Sequence, residues 1–308
     1  MISRSHPERS ERSAFFSRAT LAALALVAFS AAGNAQAGPP STDIFLAPLS
    51  IQAGKPAIGT PINITKRPGY DNQPSFTPDS RSILFTSVRE DAQSDIYRFD
   101  ITSTLISRVT TTPESEYSAT VMPGGKRFSV IRVERDSAQR LWSFAMDGSD
   151  PKLVLESLKP VGYHAWVDAN NLAMFVLGRP NALVHGDIRT GKSDTLARSI
   201  GRSLLPLPDK HGFSFVRTTD AQSTLVAARW PGFATTDLVA LPKGTQDIAW
   251  ISDGIALAGS GSTLVYWSRG AAAWVTTNDL ATAGLTDITR IAVSPNGKWI
   301  AIVAAPKP

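Results

Sequence analysis

Apolar and polar positions along this chain recur in a fixed order. The clearest stretch runs from Gln73 to Asp100. An apolar run ends at Phe76, and a polar turn follows around Pro78-Asp79. A second run, Ile83-Leu84-Phe85, comes next, and a third opens with Asp95-Ile96-Tyr97. Runs this short, bounded by turn residues, predict β-strands. Equivalent turn positions are Pro78, Pro123, Val167, Pro208, Ser252 and Pro295, spaced by 45, 44, 41, 44 and 43 residues. Second strands are predicted to open at Ile83, Phe128, Leu172, Phe213 and Ile255. Third strands are predicted near Ile96, Leu141, Val184, Leu225 and Val265. A repeat of about 40–50 residues with four strands marks a propeller blade.

The sixth copy keeps only two strands before the chain ends, Ile288–Ser294 and Trp299–Val303. The missing pair stands at the other end. Asp43-Ile44-Phe45-Leu46 mirrors Asp95-Ile96-Tyr97-Arg98, and Pro61–Thr65 reads as a fourth strand. The expected fold is therefore all-β. It is a single six-bladed β-propeller over residues 38–308, its last blade closed by N-terminal strands pairing with C-terminal strands. Such closure leaves only short, protected sheet edges.

The first 37 residues read differently. Arg4, Arg9, Arg12 and Arg18 precede the apolar stretch Leu21–Phe29, and Ala35-Gln36-Ala37 fits a small-x-small cleavage site. This is the pattern of a signal peptide, so the mature chain is expected to start near Gly38. The apolar stretch falls short of the roughly 20 residues that span a bilayer. There is no cysteine, hence neither a lipid anchor on Cys nor a disulfide. The expected location is periplasmic or secreted, with no membrane span after cleavage and a monomeric state. Net charge is +5, from 31 Lys and Arg against 26 Asp and Glu. The signal segment holds four Arg and two Glu of these. No basic stripe remains, which argues against a nucleic-acid partner.

The repeat residues also carry a resemblance. Pro74–Phe85 followed by Asp95-Ile96-Tyr97, then Ser294–Ala301, and the turn Ala145–Ser149 resemble the repeat of TolB-type propellers. The likeness covers about residues 41–308. It implies an envelope propeller and a protein or peptide partner, with a Pal-like lipoprotein among the candidates. The smaller α/β domain that precedes the propeller in TolB has no counterpart here. Similar repeats precede the peptidase domain of prolyl-oligopeptidase relatives, and that hydrolase domain is also without a counterpart.

Candidate chemistry is sparse. Gly186–Ser193 satisfies G-x-x-x-x-G-K-S letter for letter, but it falls where blade three needs an outer hairpin, not a strand-to-helix turn. No G-x-S-x-G elbow exists. Of the histidines, His211 is expected in a rim turn and His185 in an outer strand. His164, beside Tyr163, is expected near the tunnel. Six-bladed lactonases hold a divalent cation in the tunnel by Glu, Asn and Asp from several blades. Here Asp71, Asn72, Glu114, Glu116, Asp247 and Asp287 stand near first-strand starts, and oxygen ligands suit Ca²⁺ or Mg²⁺.

Tyr70, Tyr117 and Tyr163 lie where the chain enters blades one, two and three. Arg89, Arg135 and Arg179 lie in the loops between second and third strands of the same blades. In a propeller these loops share one face. Tyrosine joins apolar area to a polar tip and suits interfaces. The expected partner-binding set is Tyr70, Asn72, Arg89, Glu116, Tyr117, Arg135, Tyr163, His164 and Arg179. The expected function is a non-enzymatic binding or scaffold propeller without a cofactor. A metal-dependent lactonase or carbohydrate-active enzyme is the competing expectation.

Overall fold

The computed structural model describes residues 39–89, 92–252 and 254–305. The expected signal segment lies outside the described residues. The chain opens on β1 (Asp43–Gln52), β2 (Lys55–Ile58) and β3 (Ile62–Asn63). Blade one is β4 (Asp71–Phe76), β5 (Ser82–Val88), β6 (Ser94–Asp100) and β7 (Ile106–Arg108). Blade two is β8 (Ser115–Val121), β9 (Arg127–Val133), β10 (Gln139–Ala145) and β11 (Lys152–Val154). Blade three is β12 (Val161–Trp166), β13 (Asn171–Val176), β14 (Ala182–Asp187) and β15 (Lys192–Arg198). Blade four is β16 (Ile200–Pro206), β17 (Gly212–Thr218), β18 (Ser223–Arg229) and β19 (Ala234–Ala240). Blade five is β20 (Ile248–Ser252), β21 (Ile255–Ser260), β22 (Thr263–Ser268) and β23 (Val275–Asp279). The chain ends on β24 (Thr286–Val293) and β25 (Trp299–Ala305).

The six sheets form a six-bladed propeller, as the repeat predicts. The first strands β4, β8, β12, β16, β20 and β24 each touch the next, and β24 touches β4. They are the inner ring. Each blade boundary holds one apolar cluster. Leu84 and Ile96 of blade one meet Phe128, Val130 and Phe144 of blade two. Ile83 and Phe85, alternating with Leu84 along β5, face Ile44, Leu46, Ala301 and Val303 of blade six instead. Successive side chains of a strand point to opposite faces. A middle strand thus serves two boundaries, which is why second strands carry apolar side chains at successive positions, as in Ile83-Leu84-Phe85.

The closure also follows the repeat. β1 pairs antiparallel with β25 from Asp43↔Ala304 to Pro48↔Trp299. The fourth-strand position differs from expectation. Only Ile62–Asn63 of the predicted Pro61–Thr65 is strand, paired with Leu46 and Phe45. β1 runs on to Gln52 and folds back on β2 through Ala53-Gly54, both at positive φ (49° and 75°). That pair of left-handed residues is the geometry of a tight hairpin turn.

Hydrogen bonds explain the repeat's polar letters. Thr77 Oγ1 donates to Asp79 Oδ1 (2.6 Å), which also accepts from Arg81 N (3.1 Å), with Ser80 at φ 59°. In the sixth copy Ser294 Oγ donates to Asn296 Oδ1 (2.7 Å), which accepts from Lys298 N (3.0 Å), with Gly297 at φ 68°. In blades one and six an Asp at the start of the third strand ties down the fourth. Asp95 pairs with Arg108 at 2.7 Å. Asp43 accepts from Asn63 Nδ2 (2.7 Å) and Thr65 Oγ1 (3.1 Å).

Gly186–Ser193 forms the β14–β15 hairpin, with Asp187 opposite Lys192. Asp187 Oδ1 accepts from Arg189 N (2.8 Å) and Thr190 N (3.2 Å). The amides a phosphate loop would offer are thus turned to the loop's own carboxylate. No helix among the described residues is long and apolar enough to cross a membrane.

Candidate functional site at the tunnel mouth

The starts of the six inner strands lie together, and each contributes one polar side chain. Tyr70 precedes β4. Tyr117 lies on β8, Tyr163 on β12, Arg202 on β16 and Arg290 on β24, and Asp247 immediately precedes β20. Arg290 Nη2 donates to the Tyr163 hydroxyl at 2.8 Å, and its guanidinium lies 5.0 Å from the centre of that ring. Arg290 Nη1 is 3.8 Å from Asp247 Oδ1. Arg202 donates through Nε to Asp247 Oδ2 at 2.9 Å, and again through Nη2. The same Nη2 reaches the Thr289 carbonyl at 2.8 Å. The side chains are part-exposed: 26% for Arg202, 14% for Arg290 and 12% for Asp247.

Electrostatics bind the ring together. Burial pushes the Tyr70 phenol up to about 12. Arg290 and Arg202 pull it down, and Tyr163 and Tyr117 push it further up. Tyr70 therefore stays a neutral hydroxyl donor. For Arg290, burial works against the charge, but Tyr163, Asp247 and Tyr70 outweigh it and hold the guanidinium above its ordinary value. The result is a charged, hydrogen-bonded mouth with two cations, one anion and three phenols.

The structure brings together Tyr70, Tyr117 and Tyr163 as repeat logic predicts. Arg202 and Arg290 were not among the expected residues. They stand on the inner strands of copies four and six. Arg135 and Arg179 are exposed on their loops. Arg89 turns inward instead. Its Nε donates to Ser87 Oγ (3.0 Å), and its guanidinium stacks 4.3 Å from the Tyr97 ring centre.

Three other expected contact residues have their side chains inside the protein. Asn72 is buried, its Nδ2 donating to Thr42 Oγ1 at 3.3 Å. Glu116 is fully buried and accepts from Thr112 and from Arg132 Nε (3.2 Å). His164 points into the boundary between blades two and three, away from the tunnel. Its Nε2 lies 2.6 Å from Ser129 Oγ, which also accepts from Trp166 Nε1 at 2.9 Å. Burial drives the His164 pKa down to about 3, so the ring is neutral. Its Nδ1 meets no carboxylate, so the orienting member of a catalytic triad is missing from this pair.

The Trp–Ser bond is structural and repeats, since Trp250 Nε1 donates to Ser214 Oγ at 2.9 Å between blades five and four. Ser129→Ala leaves both Trp166 and His164 without a buried partner. We expect it to cost about 2–3 kcal/mol, read as a lower denaturant midpoint at constant m-value.

Four of the acids expected as tunnel metal ligands pair with arginines. Asp71 lies 3.0 Å from Arg67, Glu114 and Glu116 share Arg132, and Asp247 holds Arg202. Asp287 is exposed. Among the described residues no group of three or more His, Asp or Glu comes together.

No family model matches the sequence. Solved structures match its fold. A structure assigned as a TolB from Agrobacterium tumefaciens aligns with a TM-score of 0.68 at 14% identity, covering 86% of this chain and 98% of that one. TolB from Acinetobacter baumannii aligns at 0.57 and 10% identity, covering 86% of this chain and 64% of that one. A gluconolactonase from Xanthomonas campestris aligns at 0.60 and 8% identity, covering 89% of this chain and 99% of that one. The chain thus has the six-bladed propeller fold found in TolB structures, and enzymes share that fold.

Proposed function

We propose that this chain is an exported binding propeller that holds a protein or peptide partner in the tunnel mouth. The observation that carries this reading is the six-membered ring Tyr70, Tyr117, Tyr163, Arg202, Asp247 and Arg290. Rigid strands fix one contact group from each blade, so a partner meets several polar anchors with little ordering cost. Aromatic and arginine side chains together are the composition of interface hot spots. Export is supported by the pattern of the first 37 residues. A cell-envelope partner, a Pal-like lipoprotein first among candidates, is what the TolB resemblance suggests.

The lactonase reading needs tunnel carboxylates converging on one cation. The pairing of Asp71, Glu114, Glu116 and Asp247 with arginines supports binding over that chemistry. The test is proximity crosslinking in the native envelope with mass spectrometry of captured proteins. We expect a reproducible partner whose capture falls at least tenfold in Tyr117→Ala and Tyr163→Ala. A partner captured equally by both variants would remove the mouth from the interaction. A stoichiometric divalent cation in purified protein, with no partner, would favour the enzyme.

A further inference from the structure

The ring carries more positive than negative charge, and its donors are not used up. Arg202 and Arg290 share the single carboxylate of Asp247. The two acids next in sequence to ring tyrosines are both engaged elsewhere: Asp71 by Arg67 at 3.0 Å and the Ser87 hydroxyl at 2.6 Å, and Glu116 by Thr112 and Arg132. Asp247 therefore balances one of the two guanidiniums.

The donor count points the same way. Arg290 makes one hydrogen bond within the ring, to the Tyr163 hydroxyl. Its contact with Asp247, at 3.8 Å, is electrostatic and longer than a hydrogen bond. The hydroxyls of Tyr70 and Tyr117 bond to no protein group among the described residues. Tyr70 lies within electrostatic reach of both Arg290 and Tyr117, and a planar guanidinium together with phenol hydroxyls is a donor set for a planar, two-oxygen anion. Arginine meets a carboxylate through parallel N–H···O bonds. A partly desolvated mouth strengthens such bonds relative to open water.

We propose that the mouth is a carboxylate receptor: Arg290, with the hydroxyls of Tyr70 and Tyr117, takes a carboxylate of the peptide partner, from its C-terminus or from an acidic side chain. This rests on the reading of the mouth as a binding site and names the group that site recognises. The Tyr163 hydroxyl accepts from the guanidinium at 2.8 Å and Asp247 lies 3.8 Å from it, which holds Arg290 in place.

The test is NMR of the full chain with ¹⁵N-labelled arginine side chains. The Arg290 and Arg202 signals are assigned from Arg290→Gln and Arg202→Gln. The probes are N-acetylglycine for a C-terminus, N-acetylaspartate methylamide for a side chain, neutral N-acetylglycinamide, galacturonate and inorganic phosphate. Both peptide acids should shift the Arg290 signal with Kd on the order of 1–10 mM, as fits ligands of this size. The relative affinity of the two acids tells terminus from side chain. The neutral amide should bind at least tenfold more weakly.

Tyr117→Phe keeps the ring's packing and removes one hydroxyl. It should weaken both acids at least threefold, which keeps the proposal testable if Arg290→Gln fails to fold. Equal shifts with the neutral amide, no shift with either acid, or unchanged affinity in Tyr117→Phe would overturn the proposal. Tighter binding of phosphate or galacturonate than of both peptide acids would overturn it too. These failures are separable from failure of the mouth reading, which is decided by whether crosslinking depends on Tyr117 and Tyr163.

Discussion

A chain lacking Asp43–Thr65 does not form a monomeric propeller. β1 carries Ile44, Phe45, Leu46, Ala47 and Leu49, all buried, into the clusters on both sides of blade six. At about 1.5–3 kcal/mol for each large apolar side chain, their loss is on the order of 10 kcal/mol. That matches the whole stability of a typical domain, about 5–15 kcal/mol. The deletion also strips β25 of its partner. Ile300–Ala304 have no exposed surface in the closed ring, and a bare apolar edge pairs with other chains. We expect soluble aggregates by size exclusion with light scattering, and loss of near-ultraviolet circular dichroism. An equally stable monomer would refute the two-ended blade.

Replacing Glu116 and His164 tilts the pH dependence of stability in opposite directions. Burial, against the pull of Thr112 and Arg132 and with a push from Asp95, raises Glu116 from 4.5 to about 7. Between those values the folded chain holds a proton that the unfolded chain has lost. Stability from this group therefore falls as pH rises through the window, by about 3 kcal/mol in all. His164 does the reverse. Its folded value is about 3 against 6.5 unfolded, so the unfolded chain binds the extra proton. Its contribution rises by about 3 kcal/mol from pH 4.5 to 6.5.

In the wild type the two contributions oppose each other over that range, with His185, also lowered by burial, adding to the His164 side. Glu116→Gln should gain stability with rising pH, and His164→Asn should lose it. Denaturant midpoints at half-unit steps from pH 4.5 to 7 give the slopes. Parallel profiles for the three proteins would show that neither group titrates as its burial implies. Surface carboxylates held below their ordinary range, such as Asp79 and Asp209, act mostly below this window.

The blades were legible because strands such as β5 bury both faces, so their apolar runs survive even where identities diverge. Turn letters were legible for a different reason: Asp79 and Asn296 each bond the same backbone position, so chemistry forces the residue type. The mouth was legible only in part. Reading tyrosines alone found half of it, because copies four, five and six contribute Arg202, Asp247 and Arg290 instead. His164 was misplaced because it neighbours Tyr163, and adjacent strand residues face opposite sides. Glu116 and Tyr117 divide in the same way. Which face turns inward also depends on bulges, as between Val161 and Tyr163 and between Tyr117 and Thr120. Residue spacing does not report these.

The pairing of Asp43 with Ala304 sets a clock on the molecule's birth. The first strand made can find its partner only after 261 further residues have followed it. At about 5–20 residues per second of synthesis, β1 waits on the order of ten seconds or more. Blades one to five can fold from local contacts during that interval, but the ring cannot shut. Its closure therefore waits on a pairing that spans most of the described residues, and long-range pairing of this kind is slow. Until then an apolar ribbon stands open at one end of the growing chain, where holding factors have the most to protect.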